Sequence, residues 1–332
     1  MSDLIAEEKI RCLRNIFRQG QKSVASQFGP VFYNYFKNIL NESYFPHVLN
    51  RANHILRLIN KNNSTILDLG CGAGLWSTLF AILGNGNKVY GIDYSEERIS
   101  SFHKLLQYLE LDHEVHAEVG DVHSLDYPDD FFDVCFANEI LSHVKDLDLA
   151  LSEISRVLKK GGLFFMSDGN NSISFIDNIQ RRKIHKRLEE GPVIQSSTLP
   201  DTLFNMRRKM IKSHFRDIDD ETVSILAKKT KGMYGEQITR ACKEFIAFKE
   251  IREKADFPCR NPATGEKMEY PLNPFRLKAL LHEKHGINCR VFPLYTTSPI
   301  AWKNMAKILL RKTHPVSLLI SPEFELIGTK EN

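Results

Sequence analysis

The sequence predicts an α/β fold in which helices surround one mostly parallel sheet. Between residues 64 and 167, five short apolar runs alternate with segments of helical periodicity, and this alternation is typical of βαβ units around a buried sheet. The alternation stops over residues 173–270 and resumes at residue 273 with two further strand-like runs. We therefore expect a doubly wound sheet of seven strands, with a mainly helical insertion between strands five and six.

Each predicted element has its own local pattern. Apolar residues recur at helical spacing within residues 3–60, which predicts N-terminal helices around an aromatic-rich segment at residues 28–45. The predicted strands cover residues 65–69, 88–92, 114–119, 132–136, 163–167, 287–295 and 324–330. The predicted helices between them cover residues 75–83, 95–109, 147–158, 273–286 and 302–311. Basic residues followed by glycines at 159–162 are expected to end the helix at 147–158.

The charge is unevenly distributed. The 332 residues are 42% hydrophobic and 26% charged with a net charge of +4, which is too small a surplus to predict sequence-independent nucleic-acid binding. Residues 181–231 nevertheless hold 13 Lys or Arg and 7 Asp or Glu, a local charge of +6. The insertion is therefore basic, and its lysines and arginines either bind phosphate or carboxylate groups or form ordinary solvated helix faces.

The remaining composition bears on location and metal content. The six cysteines include no C-x-x-C pair and no metal-ligand spacing, and the first residues lack a basic and then apolar leader. No apolar run approaches the roughly 18 residues that a membrane-spanning helix needs. We expect a reduced, cytoplasmic protein without a bound metal or a transmembrane segment, and a peripheral membrane contact of the helix at 302–311 stays open.

The most informative motif is D-L-G-C-G-A-G at residues 68–74, where an acidic strand end is followed by three alternating glycines and a helix. Such a turn lets a ligand approach the backbone closely and presents helix N-terminal amides to it. A dinucleotide fingerprint starting at Gly70 would require a glycine where Leu75 stands. The segment instead resembles the nucleotide-binding loop of the class I S-adenosylmethionine-dependent methyltransferases.

Four further segments resemble motifs of this family in the correct order: G-I-D at residues 91–93, G-D-V at 120–122, F-D-V-C-F-A-N at 132–138 and K-K-G-G-L at 159–163. The resemblance implies a Rossmann-like fold with an antiparallel last strand and S-adenosylmethionine as the cofactor. In such proteins the acid at Asp68 lies near the methionine amine, Asp93 accepts the ribose hydroxyls and Asp121 contacts the adenine. The implied cofactor-binding residues are Asp68, Gly70, Cys71, Gly72, Gly74, Asp93, Tyr94, Asp121, Val122 and Asn138.

The resemblance also divides the chain by role. It implies an N-terminal helical lid at residues 1–60, a methyltransferase core at 61–170 and 273–332, and an insertion at 171–272 that covers the acceptor. Alternative roles stay open for single residues, since Asp121 also suits a solvated loop and Asn138 a helix cap.

The expected chemistry is an in-line displacement at an activated methyl group, for which the protein aligns donor and acceptor and excludes water. A general base is needed only when the acceptor must lose a proton, and histidine suits that task. His143 follows the fourth strand and is the best-placed candidate. A histidine that simply hydrogen-bonds to the backbone at a helix start is the alternative.

The residues after the fourth predicted strand lack the motifs of several acceptor classes. The residues at 138–141 are N-E-I-L rather than the (D/N)-P-P-(Y/F) of amino-methylating nucleic-acid enzymes, and Cys135 lies inside a strand rather than in the loop that a covalent route needs. Protein-arginine enzymes carry two glutamates that hold the guanidinium, whereas this segment contains only Glu139. These absences favour a small-molecule or lipid-like acceptor methylated at oxygen or nitrogen rather than carbon. RNA methylation guided by the basic insertion and a non-catalytic scaffold are the alternatives, and the oligomeric state is left open.

Overall fold

The computed structural model describes residues 3–37, 39–40, 43–59, 63–84, 86–170, 172–192, 199–268, 270–294, 316–319 and 321–331. The helix predicted at 302–311 lies outside these residues. None of the described helices has the length and apolarity that crossing a membrane would require.

Seven strands form one sheet in the order β3-β2-β1-β4-β5-β7-β6. Their bounds are β1 Thr65–Leu69, β2 Lys88–Asp93, β3 Val115–Val119, β4 Phe132–Asn138, β5 Leu158–Gly169, β6 Ile287–Pro293 and β7 Glu323–Lys330. The pairs β1–β2, β1–β4, β2–β3 and β4–β5 are parallel, and β7 runs antiparallel to β6. The predicted Rossmann-like sheet with an antiparallel last strand is thus confirmed.

Twelve α-helices are present in the part of the chain that the structure describes. They are α1 Asp3–Ile16, α2 Gln21–Phe28, α3 Pro30–Phe36, α4 Phe45–Ile59, α5 Leu75–Leu83, α6 Glu96–Leu109, α7 Leu147–Val157, α8 Phe175–Glu190, α9 Leu203–His214, α10 Asp220–Lys229, α11 Glu236–Phe248 and α12 Pro274–His285. Two short 3-10 helices cover Phe17–Gln19 and Val316–Leu319.

Helix starts follow local capping chemistry. The Ser95 hydroxyl accepts a hydrogen bond from the Arg98 amide at the start of α6, and the Asp146 carboxylate accepts one from Leu149 at the start of α7. Such side chains satisfy amides that have no partner within the helix. The elements that surround the sheet are therefore delimited by residues within a few positions of each end.

The chain divides into two compact units. The first, here called the sheet unit, comprises residues 1–140, 146–168 and 273–332. In its core, buried aromatic residues from α2, α3 and α4 join residues of the sheet and of α5 and α6. Burial of so many aromatic side chains supplies a large part of the hydrophobic stabilisation.

The second unit, here called the helical unit, comprises residues 141–145 and 169–272. Helices α9, α10 and α11 contribute to one buried cluster there. The amides of Lys267 and Tyr270 donate to the carbonyls of His143 and Ser142 at 3.1 and 3.0 Å, which holds residues 141–145 against the end of this unit. The lid, core and insertion assigned from the sequence stay predictions, since these units are defined by packing and not by role.

The segment at 159–162 differs from the expectation of a turn that follows a helix. The helix α7 ends at Val157 and β5 begins directly at Leu158, which pairs with Phe132. The next pair joins Val134 to Leu163, so that two steps along β4 match five along β5. Gly161 has a φ of +69° within this irregularity. The glycines therefore accommodate a bulge in a continuous strand, because a bulge needs backbone angles that other residues rarely adopt.

Gly74, at the start of α5, offers a test of close packing. Its φ is +89°, and a Cβ atom there would overlap the Phe102 ring of α6. Gly286 has a similar φ of +62° at the end of α12, but a Cβ atom there would meet nothing within 4 Å. We expect Gly286→Ala to lower the free energy of unfolding by about 1–2 kcal/mol through backbone strain alone. Gly74→Ala should cost a further ~1–3 kcal/mol through overpacking.

Urea unfolding, followed by circular dichroism, measures the free energy of unfolding of both variants. Equal losses of stability would contradict the close approach of the Phe102 ring to the Gly74 backbone.

Candidate functional site

The glycine-rich loop lies between β1 and α5, where the strand order reverses. The first strand is flanked by β2 and β4, and ligands in open α/β sheets bind beyond the carboxyl ends of the strands at such a point. Gly72 has a φ of +57°, a conformation that disfavours any other residue. The loop therefore presents bare backbone at the position where the topology predicts a binding site.

Asp68 is buried in β1, directly below this loop. Its Oδ2 accepts a hydrogen bond of 2.6 Å from the Ser77 hydroxyl in the first turn of α5. Burial raises the pKa of Asp68 to about 7, the Ser77 hydrogen bonds oppose this, and the Asp93 carboxylate adds to it. Because a buried carboxylate loses hydration, its charged form is disfavoured until a cation pairs with it. This carboxyl group changes its protonation near neutral pH.

Asp93 ends β2 and joins the glycine loop to the neighbouring strand. Its Oδ2 accepts a hydrogen bond from the Gly72 amide at 3.0 Å, and its Oδ1 accepts one from the Ser95 amide at 2.9 Å. The Arg98 guanidinium lies 3.4 Å from Oδ2. A carboxylate has about four lone-pair positions, so that these three contacts leave about one for a ligand.

A second polar cluster lies at the carboxyl ends of β4 and β5. Arg51 of α4 donates from Nη2 to the Ser167 hydroxyl at 2.6 Å and to the Asn138 side-chain oxygen at 3.2 Å. The Ser167 hydroxyl donates to the same Asn138 oxygen at 2.8 Å. The Arg51 guanidinium also lies 5.2 Å from the centre of the Trp76 ring. Asn138 is therefore held in place by neighbours that were not predicted as site residues.

Glu323, at the start of β7, is influenced by acidic side chains and by Arg51. Burial raises the pKa of Glu323 to about 7, and the Glu139 carboxylate adds to this. The positive charge of Arg51 acts in the opposite direction, while Asp168 adds to the increase. Glu323 is therefore a second acidic group at this edge of the sheet whose pKa lies near neutrality.

Three of the residues predicted to bind a cofactor have more ordinary surroundings. Tyr94 is exposed, with the Arg98 guanidinium 5.6 Å from its ring centre. Asp121 is exposed and its Oδ1 accepts a hydrogen bond from the His123 amide at 2.9 Å, within a local turn. Val122 is half-buried beside it. Their cofactor contacts stay predictions.

Cys71 is the buried residue between Gly70 and Gly72 in the loop. Burial raises the pKa of its thiol well above the usual value, with the Asp68 and Asp93 carboxylates adding to the shift. The thiol therefore stays protonated at neutral pH. The predicted contact of Cys71 with the cofactor stays a prediction.

His143 belongs to the helical unit. Its Nδ1 lies 3.1 Å from the Lys267 carbonyl oxygen and 3.8 Å from Oε1 of Glu266. A carbonyl accepts only, so Nδ1 carries the hydrogen and Nε2 carries the lone pair of the neutral ring. This arrangement fits a backbone-bonded histidine and equally leaves Nε2 able to accept a proton, so the general-base role stays a prediction.

Two basic residues of the insertion are engaged within the helical unit. Arg207 is fully buried, donates from Nε to the Ala227 carbonyl at 2.9 Å and makes an ion pair with Glu189. Lys209 makes an ion pair with Asp201 at 2.7 Å. For Arg207 both sequence alternatives, anion binding and a solvated helix face, are wrong, because its side chain is buried and its charge is neutralised by Glu189.

Motif matching missed the residues that support the site from other elements. Ser77 carried one signal, since it is a polar residue in the otherwise apolar start of α5. Arg51 and Ser167 carried no such signal, because they lie 87 and 29 positions along the chain from their partner Asn138.

Part of the chain is similar to known methyltransferases. Residues 60–222 match a family model described as a methyltransferase domain. The ubiquinone biosynthesis O-methyltransferase of Pelagibacter ubique is 35% identical over 115 residues, which are 33% of this chain and 44% of that protein. The sterol 24-C-methyltransferase of Aspergillus fumigatus is 30% identical over 141 residues, which are 41% of this chain and 36% of that protein.

Among solved structures, the YcgJ protein of Bacillus subtilis aligns over 85% of this chain and 99% of its own, with a TM-score of 0.47 and 15% identity. The chain spans less than half the length of the two curated relatives named above. Since the sequence motifs and strands β1 to β5 lie within the segment that the family model matches, residues 60–222 carry a methyltransferase domain of the class I S-adenosylmethionine-dependent type, with S-adenosylmethionine as its cofactor.

Proposed function

We propose that the whole chain transfers a methyl group from S-adenosylmethionine to a small or medium-sized, lipid-like acceptor, at oxygen or nitrogen rather than carbon. The observation that carries the cofactor half of this proposal is the glycine loop flanked by the buried Asp68 and Asp93 carboxylates. The acceptor half is supported by the absence of the nucleic-acid and arginine motifs after β4. Relatives named for ubiquinone biosynthesis, sterols and demethylrifamycin support a small-molecule or lipid-like acceptor, and their names include both O- and C-methyltransferases.

The residues present suit the cofactor. Asp68 offers a buried carboxylate for the ammonium of the methionine moiety, and Ser77 at the start of α5 holds this carboxylate in place through its hydroxyl and its backbone amide. Asp93 retains about one acceptor position for a ribose hydroxyl. Gly72 carries no side chain, and the space beside it is shared with the Tyr35 ring of α3. When bound, S-adenosylmethionine supplies an already activated methyl group, so that the chain itself has to orient the reactants and exclude water.

For an acceptor that must lose a proton, we assign the general base to Nε2 of His143. The hydrogen bond from Nδ1 to the Lys267 carbonyl sets the tautomer in which Nε2 has the lone pair. The same bond restrains the orientation of the ring. A base held in one tautomer is typical of histidines that accept protons in catalysis.

The protonation of Asp68 leads to a pH-dependent prediction. Below pH 7 the free protein holds a proton on this carboxyl group, and the ammonium of S-adenosylhomocysteine prefers the ionised form. The affinity should therefore fall as the pH is lowered through about 7, by up to about tenfold per pH unit for one linked proton. Isothermal titration calorimetry between about pH 5.5 and pH 8 measures this slope.

The control variant is Asp68→Asn, which should bind more weakly and lose the part of the slope that Asp68 causes. A second control is 5′-methylthioadenosine, which lacks the ammonium. Its affinity should not depend on the protonation of Asp68. A wild-type affinity that stays constant across this range would contradict the pairing of Asp68 with the amine.

The acceptor class is tested with purified protein, S-adenosylmethionine and three separate acceptors: a lipid-like phenol, a sterol and total RNA. Mass spectrometry should detect one added methyl group on the phenol oxygen. His143→Ala should lower kcat by about 10²–10⁴-fold while calorimetry shows unchanged S-adenosylhomocysteine affinity.

Methylation of the sterol carbon would contradict the preference for oxygen or nitrogen. Methylation of RNA that weakens with salt and with Lys228→Gln would favour the nucleic-acid alternative, since Lys228 is exposed. Cofactor binding without transfer to any acceptor would favour a scaffold.

A further inference from the structure

Tyr35 differs from the other aromatic residues of its helix. On α3, Phe32 and Phe36 are fully buried in the core of the sheet unit, whereas Tyr35 keeps 42% of its surface exposed. Its ring meets the Phe36 ring edge-on, with centroids 5.1 Å apart. Core packing explains the two phenylalanines but does not explain the position of the tyrosine between them.

The tyrosine lies against the glycine-rich loop. A Cβ atom on Gly72 would be 3.3 Å from both Cζ and Oη of Tyr35. The hydroxyl end of Tyr35 therefore lies beside the space that a side chain on Gly72 would fill, and Gly72 is the loop residue that hydrogen-bonds to Asp93. An N-terminal helix therefore contributes one side chain to the wall of the cofactor site.

The charges around this hydroxyl are mostly negative. Burial raises the pKa of Tyr35 above its usual value, and the carboxylates of Glu139, Asp68 and Asp93 add to the increase while Arg98 opposes it. The hydroxyl end of the side chain lies beside Gly72, where it is subject to the charges of these acids. It stays protonated at neutral pH and can act only as a neutral donor or acceptor of hydrogen bonds.

The methionine moiety of the cofactor carries an ammonium and a carboxylate on the same carbon atom. Asp68 suits the ammonium, but the carboxylate then enters a region where Asp68, Asp93 and Glu139 repel it. The nearby cation Arg98 is already paired with Asp93. A protonated hydroxyl at Gly72 is a donor that does not add negative charge, and a hydrogen bond to a charged group is stronger than one between neutral groups.

We propose that Tyr35 is a cofactor-binding residue whose hydroxyl donates a hydrogen bond to the carboxylate of the S-adenosylmethionine methionine moiety. This inference rests on the cofactor site proposed above. It assigns to α3 a direct role in recognising the amino-acid end of the cofactor, in addition to its contribution to the core.

Calorimetry on Tyr35→Phe tests the proposal with two ligands. S-Adenosylhomocysteine has the amino-acid moiety, whereas 5′-methylthioadenosine has the same adenosine thioether without it. We expect Tyr35→Phe to lower the affinity for S-adenosylhomocysteine by about tenfold to a hundredfold, which is the range for the loss of one hydrogen bond to a charged group. The affinity for 5′-methylthioadenosine should change by less than about twofold, because the missing hydroxyl has no partner on that ligand.

The matched control is Tyr33→Phe, which removes a hydroxyl from the same helix at a residue packed against the core. It should leave both affinities unchanged, and thermal unfolding should show both variants folded. Equal binding of S-adenosylhomocysteine to wild type and Tyr35→Phe would overturn the proposal. Equal weakening of both ligands would also overturn it, because the tyrosine would then act through packing.

Binding of the two ligands to the wild-type protein tests the cofactor site itself. If wild type binds neither ligand, the proposed cofactor site fails. If wild type binds S-adenosylhomocysteine and Tyr35→Phe binds it equally well, the proposed cofactor site is supported and the proposed Tyr35 hydrogen bond is wrong.

Discussion

The hydrogen bond from the Gly72 amide to the Asp93 carboxylate is the contact on which the geometry of the site depends. It joins the loop after β1 to the end of β2, and the other Asp93 oxygen accepts the Ser95 amide just before α6. A buried carboxylate without partners would be costly. The contacts that satisfy Asp93 therefore also hold the loop and position the start of the helix. They are possible because β1 and β2 are adjacent and parallel, so that their carboxyl ends meet.

Buried acidic groups give this end of the sheet its chemical character. Burial brings the pKa values of Asp68 and Glu323 to about 7, and Arg51 partly compensates the negative charge near Glu323. A group with a pKa near neutrality responds to the charge of whatever binds beside it. The site is therefore suited to a ligand that brings its own positive charge, as the ammonium of S-adenosylmethionine does.

The sequence predicted the fold well because the signals were local. Strands β1 to β5 and helix α12 lie close to their predicted positions, since apolar periodicity, glycines and capping residues act within a few positions along the chain. The bulge at 159–162 was mistaken for a turn, because basic residues and glycines favour a helix end and also permit an irregular strand. Whether Arg207 is exposed or buried also escaped prediction, since that depends on Glu189, 18 positions away.

The sequence by itself determined the element order, the glycine loop and the two acids at the ends of β1 and β2. It did so because short-range chain geometry places a strand end, a turn and a helix start in a fixed succession. Only the tertiary structure decided which side chains from distant segments support these residues. Arg51 reaches Asn138 and Ser167, and Tyr35 reaches Gly72, because α4 packs against α5 and α3 packs against α6. Contacts of that kind depend on how whole elements pack, and no local pattern in the chain encodes them.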